Sequence, residues 1–173
     1  NIEGFVYMLM NAFYQAAVSI TAQNYGARDA RRVRSTLWLS LAMVSAVGIV
    51  LGQAAVLMGE PLARIYNKNP AVIAAACERL AIVAGPYVIC GIMEVLVGSL
   101  RGIGYSLAPM LVSVLGACVL RIGWIRTIFA ARHTLPILYL SYPVSWAATA
   151  LVLAACLAYG FRRMKRRFAA APR

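Results

Sequence analysis

The sequence predicts an all-α, polytopic membrane protein of five transmembrane helices, and three observations carry that reading. The chain has 173 residues, 62% of them hydrophobic, and a mean hydropathy of +0.76, well above a soluble domain of ordinary composition. Its apolar residues are gathered into long runs, and a helix needs ~20 such residues to cross a hydrocarbon layer of roughly 30 Å. Its basic residues concentrate at the ends of those runs, in Arg28-Asp29-Ala30-Arg31-Arg32-Val33-Arg34 and in Arg162-Arg163-Met164-Lys165-Arg166-Arg167.

The spans are expected over residues 4–25, 35–58, 81–101, 108–129 and 136–160, with 1–161 as the membrane part and 162–173 as a basic tail. In the first span Glu3, Tyr7, Asn11, Gln15, Ser19 and Gln23 recur at every fourth position. Such a row drifts ~40° per step around a helix of 3.6 residues per turn. Asn11, Gln15 and Ser19 therefore form a narrow polar stripe that should avoid lipid. Interhelical hydrogen bonding and the lining of a water-filled cavity account for it equally well.

The second span stops at Gly59-Glu60-Pro61, and its Gly48 and Gly52 form a small-xxx-small pattern read as helix packing. Asn69 and Pro70 are expected as the N-cap and first residue of the third apolar segment. That segment is too long for one straight span, and Pro86 removes a backbone hydrogen bond that should kink it. Beyond the kink, Glu94 has apolar neighbours on both sides and belongs inside the membrane. The fourth span carries Arg121 and Arg126 in its second half, and the fifth is expected to be interrupted by Pro143. Trp38, Trp124 and Trp146 fall toward span ends, where aromatic belts form.

The basic loop after the first span and the basic tail fall on one side of the membrane, and the positive-inside rule makes that side cytoplasmic. Arg64, Lys68, Arg132 and His133 are the minority charges on the other side. The net charge of +12 would indicate nucleic-acid binding in a soluble protein. Here the charge sits at span ends, where an anionic leaflet attracts each basic residue by ~1 kcal/mol. The lipid bilayer is the expected partner and nucleic acid is not. Cys77, Cys90, Cys118 and Cys156 show no paired spacing, and His133 is the single histidine, so no metal site is expected. The chain enters an apolar run almost directly after Asn1, without a basic n-region or cleavage site, and is expected to be part of a longer protein.

Two turn motifs narrow the class. Gln23-Asn24-Tyr25-Gly26-Ala27-Arg28 closes the first span, and Leu100-Arg101-Gly102-Ile103-Gly104-Tyr105-Ser106, followed by Pro109, joins the third to the fourth. Both resemble cytoplasmic-end signatures of the multidrug and toxic compound extrusion (MATE) transporters, a Gln-Asn-x-Gly-Ala turn and an Arg-Gly-x-Gly-x-x-x-x-Pro turn two spans later. Tyr105-Ser106 departs from the Asp-Thr of many relatives. Segment order and loop sidedness are similar along essentially the whole chain.

The resemblance implies two six-helix lobes, of which this chain would be five helices of the C-terminal one. Its partners would then include an N-terminal lobe and a first C-lobe helix. The resemblance further implies a secondary antiporter in a bacterial inner membrane, its C-terminus cytoplasmic. It would export drugs or organic cations by alternating access, in exchange for protons or sodium, with no cofactor beyond that coupling cation. Gln23, Asn24, Gly26, Ala27, Arg101, Gly102, Gly104 and Pro109 are read as structural turn residues, the glycines supplying conformations costly for other residues.

Glu94 is the first candidate for chemistry, because an ionisable group inside the bilayer is expensive unless it has a use. Arg101, seven residues on, lies ~10 Å along the helix, and Arg121 lies ~10 Å away from Glu94 in depth. A direct ion pair therefore needs a kink or a long side-chain reach. A carboxyl group so placed can exchange a proton or hold a cation, as an antiporter requires. Gln15 and Ser19 are nearest Glu94 in depth and Asn11 is nearest Arg121, so these five residues form the candidate ion-coupling or substrate-lining set. Two rival classes are a non-transporting membrane scaffold and an intramembrane enzyme. The enzyme would need Ser106 and His133 within hydrogen-bond reach, although ~30 Å of membrane separates them. No catalytic residue is assigned.

Overall fold

The computed structural model describes residues 2–66, 68–131 and 133–170. The Glu3 side chain, the loop residue Arg132 and residues 171–173 of the basic tail lie outside the described residues. The helices are α1 (Ile2–Gly26), α2 (Ala30–Leu57), α3 (Gly59–Tyr66), α4 (Pro70–Val83), α5 (Tyr87–Gly102), α6 (Leu107–Phe129) and α7 (Leu135–Ala170). No strand occurs among the described residues.

By length and apolarity α2, α6 and α7 suffice to cross a membrane, and α4 with α5 supplies a fourth as one broken span bent by 45°. The bend falls at Ala84-Gly85-Pro86, where the Pro86 ring removes a donor. α1, at 25 residues, is also long enough to cross, and it packs against α5 and α2.

α5 is the centre of the bundle and packs against α1, α2 and α7. Val95 and Leu100 of α5, Met10 and Ala17 of α1, Val44 of α2 and Leu153 of α7 are all buried in the core. By contrast Leu111, Leu115, Val119 and Ile122 of α6 and Val50 and Leu57 of α2 are exposed. A soluble protein would hide such a surface; hydrocarbon accepts it. The Gly48–Gly52 pattern is a packing device, as expected. A Cβ on Gly52 would meet the Ala84 carbonyl oxygen at 2.5 Å, and one on Gly48 would meet Val88 Cα at 3.0 Å.

Both turn motifs hold helices together. The Asn24 side-chain amide donates to the Ile20 carbonyl (2.9 Å) and to Thr36 Oγ1 (3.3 Å), tying α1 to α2. Asp29 caps α2 by accepting from the Arg32 N–H at 2.9 Å. The residue in the left-handed region at this turn is Arg28, with φ 56°, and not Gly26. Gly26 ends α1 with nothing near its missing side chain. Gly102 also lacks a positive φ; it is small because Thr21 of α1 lies against it, 2.6 Å from where a Cβ would stand. Of the three motif glycines, only Gly104, at φ +92°, needs glycine for its backbone.

Three further differences from expectation have local causes. The connection between the second and third apolar segments folds into α3, closed by an exposed Glu60–Arg64 ion pair at 2.6 Å. α7 runs through Pro143 unbroken, since a helix packed along its length tolerates one missing hydrogen bond. The basic tail is not a free segment either: α7 continues to Ala170. Leu157, Phe161, Met164 and Phe168 recur at helical spacing; Met164 is buried, and the Phe168 ring lies 5.4 Å from Tyr25.

Candidate functional site

Tyr87, Cys90, Glu94, Val97 and Arg101 are spaced three and four residues apart along α5, so they lie on one face of that helix. That face forms the wall of a cavity of about 530 Å³. α1 contributes Tyr7, Asn11 and Tyr14; α6 contributes Ser113, Ala117 and Arg121; α7 contributes Tyr142, Ser145, Trp146 and Thr149. The chamber is therefore aromatic in substance, with polar groups at chosen points.

Glu94 is half-buried on the α5 wall. The ion pairs among the described residues are Asp29–Arg32 and Glu60–Arg64, so Glu94 forms none. Arg101 stands two turns further along the same face of α5, and both line the cavity with Tyr7 and Cys90. Both arginines are held by neutral partners. Arg101 donates to the Tyr14 hydroxyl at 2.5 Å and lies 5.6 Å from the centre of the same ring. Arg121 donates through Nε to Ser145 Oγ at 3.1 Å and sits 4.2 Å over the Tyr142 ring. A guanidinium has five N–H donors, so each retains donors and its full charge toward the chamber.

α6 is locally widened on both sides of Arg121. Over Leu115–Val119 and Ile125–Phe129 its hydrogen bonds run five residues back rather than four. Such widened turns recur at functional sites, and here they flank the arginine that reaches across to α7.

Of the candidate set, the fold brings Glu94, Asn11 and Arg121 together on this chamber and leaves Gln15 and Ser19 out of it. Gln15 is exposed, and Ser19 is exposed and accepts from Gln23 at 3.4 Å. The fourfold row drifts around α1, so its two halves face different surroundings; Tyr7 and Asn11 are joined by Tyr14, not by Gln15. Sequence reasoning assigned Arg101 to a turn and missed its place in the lining, although the seven-residue spacing to Glu94 puts both on one helix face. Trp146 is buried against Tyr87, ring centres 5.3 Å apart, and belongs to the chamber rather than to an interfacial belt. Ser106 and His133 stand at opposite ends of α6, some 23 helical residues apart, and form no site.

An all-helical bundle with lipid-facing apolar surfaces and an ionisable chamber among its helices defines a multi-pass membrane protein of the transporter class. The MatE family profile matches residues 1–124, and the chain belongs to that family of transporters. A crystal structure of the Vibrio cholerae MATE transporter VcmN in its bent form shares the fold at a TM-score of 0.72 and 15% identity, over 95% of this chain and 40% of that one. The chain thus spans 40% of the length of that transporter. No curated protein matches it.

Proposed function

We propose that this chain forms most of one lobe of a secondary antiporter, which exports small organic molecules by alternating access in exchange for protons or sodium. The observation that carries this reading is Glu94. It is a carboxyl group without an ion-pair partner among the described residues, on the wall of a 530 Å³ chamber inside a membrane bundle. Such a group can bind a proton or a cation and give it up as the chamber changes access. In repeat-built transporters the substrate site lies between the two halves near the bilayer midplane, which suits a chamber built on one face of this bundle. The decisive test uses the full-length protein in inverted vesicles. Gradient-driven substrate uptake is measured for the natural protein and for Glu94→Gln, with membrane accumulation checked in parallel.

A second reading of the cargo is favoured by the lining charge. The family resemblance points to organic cations, yet the chamber presents two guanidinium groups to one carboxylate, among Tyr7, Tyr14, Tyr87, Tyr142 and Trp146. Aromatic surface suits a planar solute, and guanidinium suits a carboxylate or phosphate on it. Competition of a zwitterionic and a purely cationic aromatic dye for export separates the two cargo classes.

A further inference from the structure

A second recess lies away from the chamber, on the lipid-facing side of the bundle. α2 and α7 both pack on α5 and leave a groove of about 310 Å³ between them. One wall is Ala30, Arg34, Leu37, Trp38 and Leu41 of α2, spaced three and four residues apart apart from Trp38. The other is Ala154, Leu157, Ala158, Phe161 and Lys165 of α7, and Leu96 of α5 closes the floor. Ala154 and Ala158 are one helical turn apart, and their short side chains leave the room that the groove occupies.

The polarity of the groove is graded along its length. α2 begins and α7 ends at the same end of the bundle, so Arg34 and Lys165 stand together at one mouth. From there the lining is apolar to Leu41, ~10 Å along α2, and to Ala154, ~16 Å along α7. Arg34 and Lys165 are exposed and form no ion pair among the described residues. Trp38, 61% exposed, sits one turn in from Arg34, at the depth where amphipathic rings meet the headgroup layer.

The geometry points to a binding site for an anionic phospholipid of the surrounding leaflet. Its phosphate would be held between Arg34 and Lys165 and the start of one acyl chain would lie along Leu37, Leu41, Leu96, Ala154 and Ala158. The order of the lining, two cations, then an aromatic ring, then hydrocarbon, repeats the order of groups in a phospholipid from headgroup to tail. A free phosphate would use the mouth and leave the apolar length empty. A basic recess between membrane helices holds an anionic headgroup through charge, and a long basic side chain can reach its phosphate from a helix end while its stem stays in the apolar layer. The site is independent of Glu94 and of the transport reading.

The test uses the full-length protein purified in detergent, with phosphatidylglycerol and phosphatidylcholine added at equal amounts and retained lipid counted by native mass spectrometry. The natural protein is expected to retain phosphatidylglycerol in preference. Arg34→Gln with Lys165→Gln should lower phosphatidylglycerol retention roughly thirtyfold, and Arg31→Gln with Arg163→Gln, equal in charge change but outside the groove, should leave it unchanged. Ala158→Leu keeps every charge and fills the groove; it too should lose the lipid, while thermal stability shows that it remains folded. Equal loss in both double variants would mean that net positive charge, not a site, attracts the lipid. Full retention in Ala158→Leu, or displacement of the lipid by inorganic phosphate alone, would mean that the apolar length holds nothing. Each of these three results overturns the proposal.

Discussion

Arg101 of α5 and Tyr14 of α1 are bound twice over, by the 2.5 Å hydrogen bond to the hydroxyl and by the placement of the guanidinium 5.6 Å from the ring centre. The pair joins the end of α5 to the middle of α1 and fixes where a positive charge enters the chamber. Arg101 also belongs to a turn motif, so this one residue links the motif to the cavity. Tyr14→Phe keeps the ring and removes the acceptor. Because a hydrogen bond to a charged group contributes about 1.5–3 kcal/mol and this one is exposed, the stability loss should stay near or below the lower figure. Transport in the full-length protein should fall further than stability does, and thermal unfolding set beside uptake rates checks the difference.

Glu94→Gln preserves size and hydrogen-bonding capacity and removes the titratable group. Gradient-driven uptake by the full-length protein should fall roughly tenfold or more while membrane accumulation stays normal, since an intramembrane carboxylate is not kept without use. Normal uptake by this variant would reduce Glu94 to a structural residue.

Asn11 and Gln15 separate the lining from the rest of the polar row. Asn11→Leu removes a polar group from the chamber and should change which substrates compete for export. Gln15→Leu alters a residue outside the chamber and should leave the substrate profile as it was. A comparable shift from both would place the transport path on a different face of α1.

Gly52→Val drives a branched side chain into the Ala84 carbonyl, 2.5 Å from the Cβ position. Overpacking of this kind costs about 1–3 kcal/mol, seen as a lowered unfolding temperature in detergent. Gly26→Ala, with open space around it, should leave that temperature unchanged or slightly raised.

Cysteines introduced at Arg31 and at Arg163 should be shielded from membrane-impermeant thiol reagents in intact cells, and cysteines at Lys68 and Thr134 should react. The expectation rests on the positive-inside rule, with α2 starting and α7 ending at the same end of the bundle. Labelling in the opposite pattern would invert the orientation.

Much of the fold was legible in the chain because each signal is local. Apolar length marks a span, Asn69-Pro70 marks a helix start, Pro86 marks a break and the basic clusters mark span ends; each depends on residues adjacent in sequence and on the medium around them. The two turn motifs carried the family for the same reason. Which residues share the chamber depended on how far each helix is rotated about its own axis, and that is set by packing between distant segments. Gly48 and Gly52 let α2 close on the broken α4–α5 span, Gly102 lets α5 close on α1, and those approaches turn Asn11 and Tyr14 toward Glu94 while Gln15 turns away. Arg121, remote from Glu94 by depth along its own helix, joins the same cavity because widened turns and contacts to Tyr142 and Ser145 on α7 carry its side chain inward. The sequence by itself determined that this is a helical membrane protein and named its chemical groups. Only the tertiary structure decided which of those groups meet, because rotation and depth are properties of helix pairs and not of any one helix.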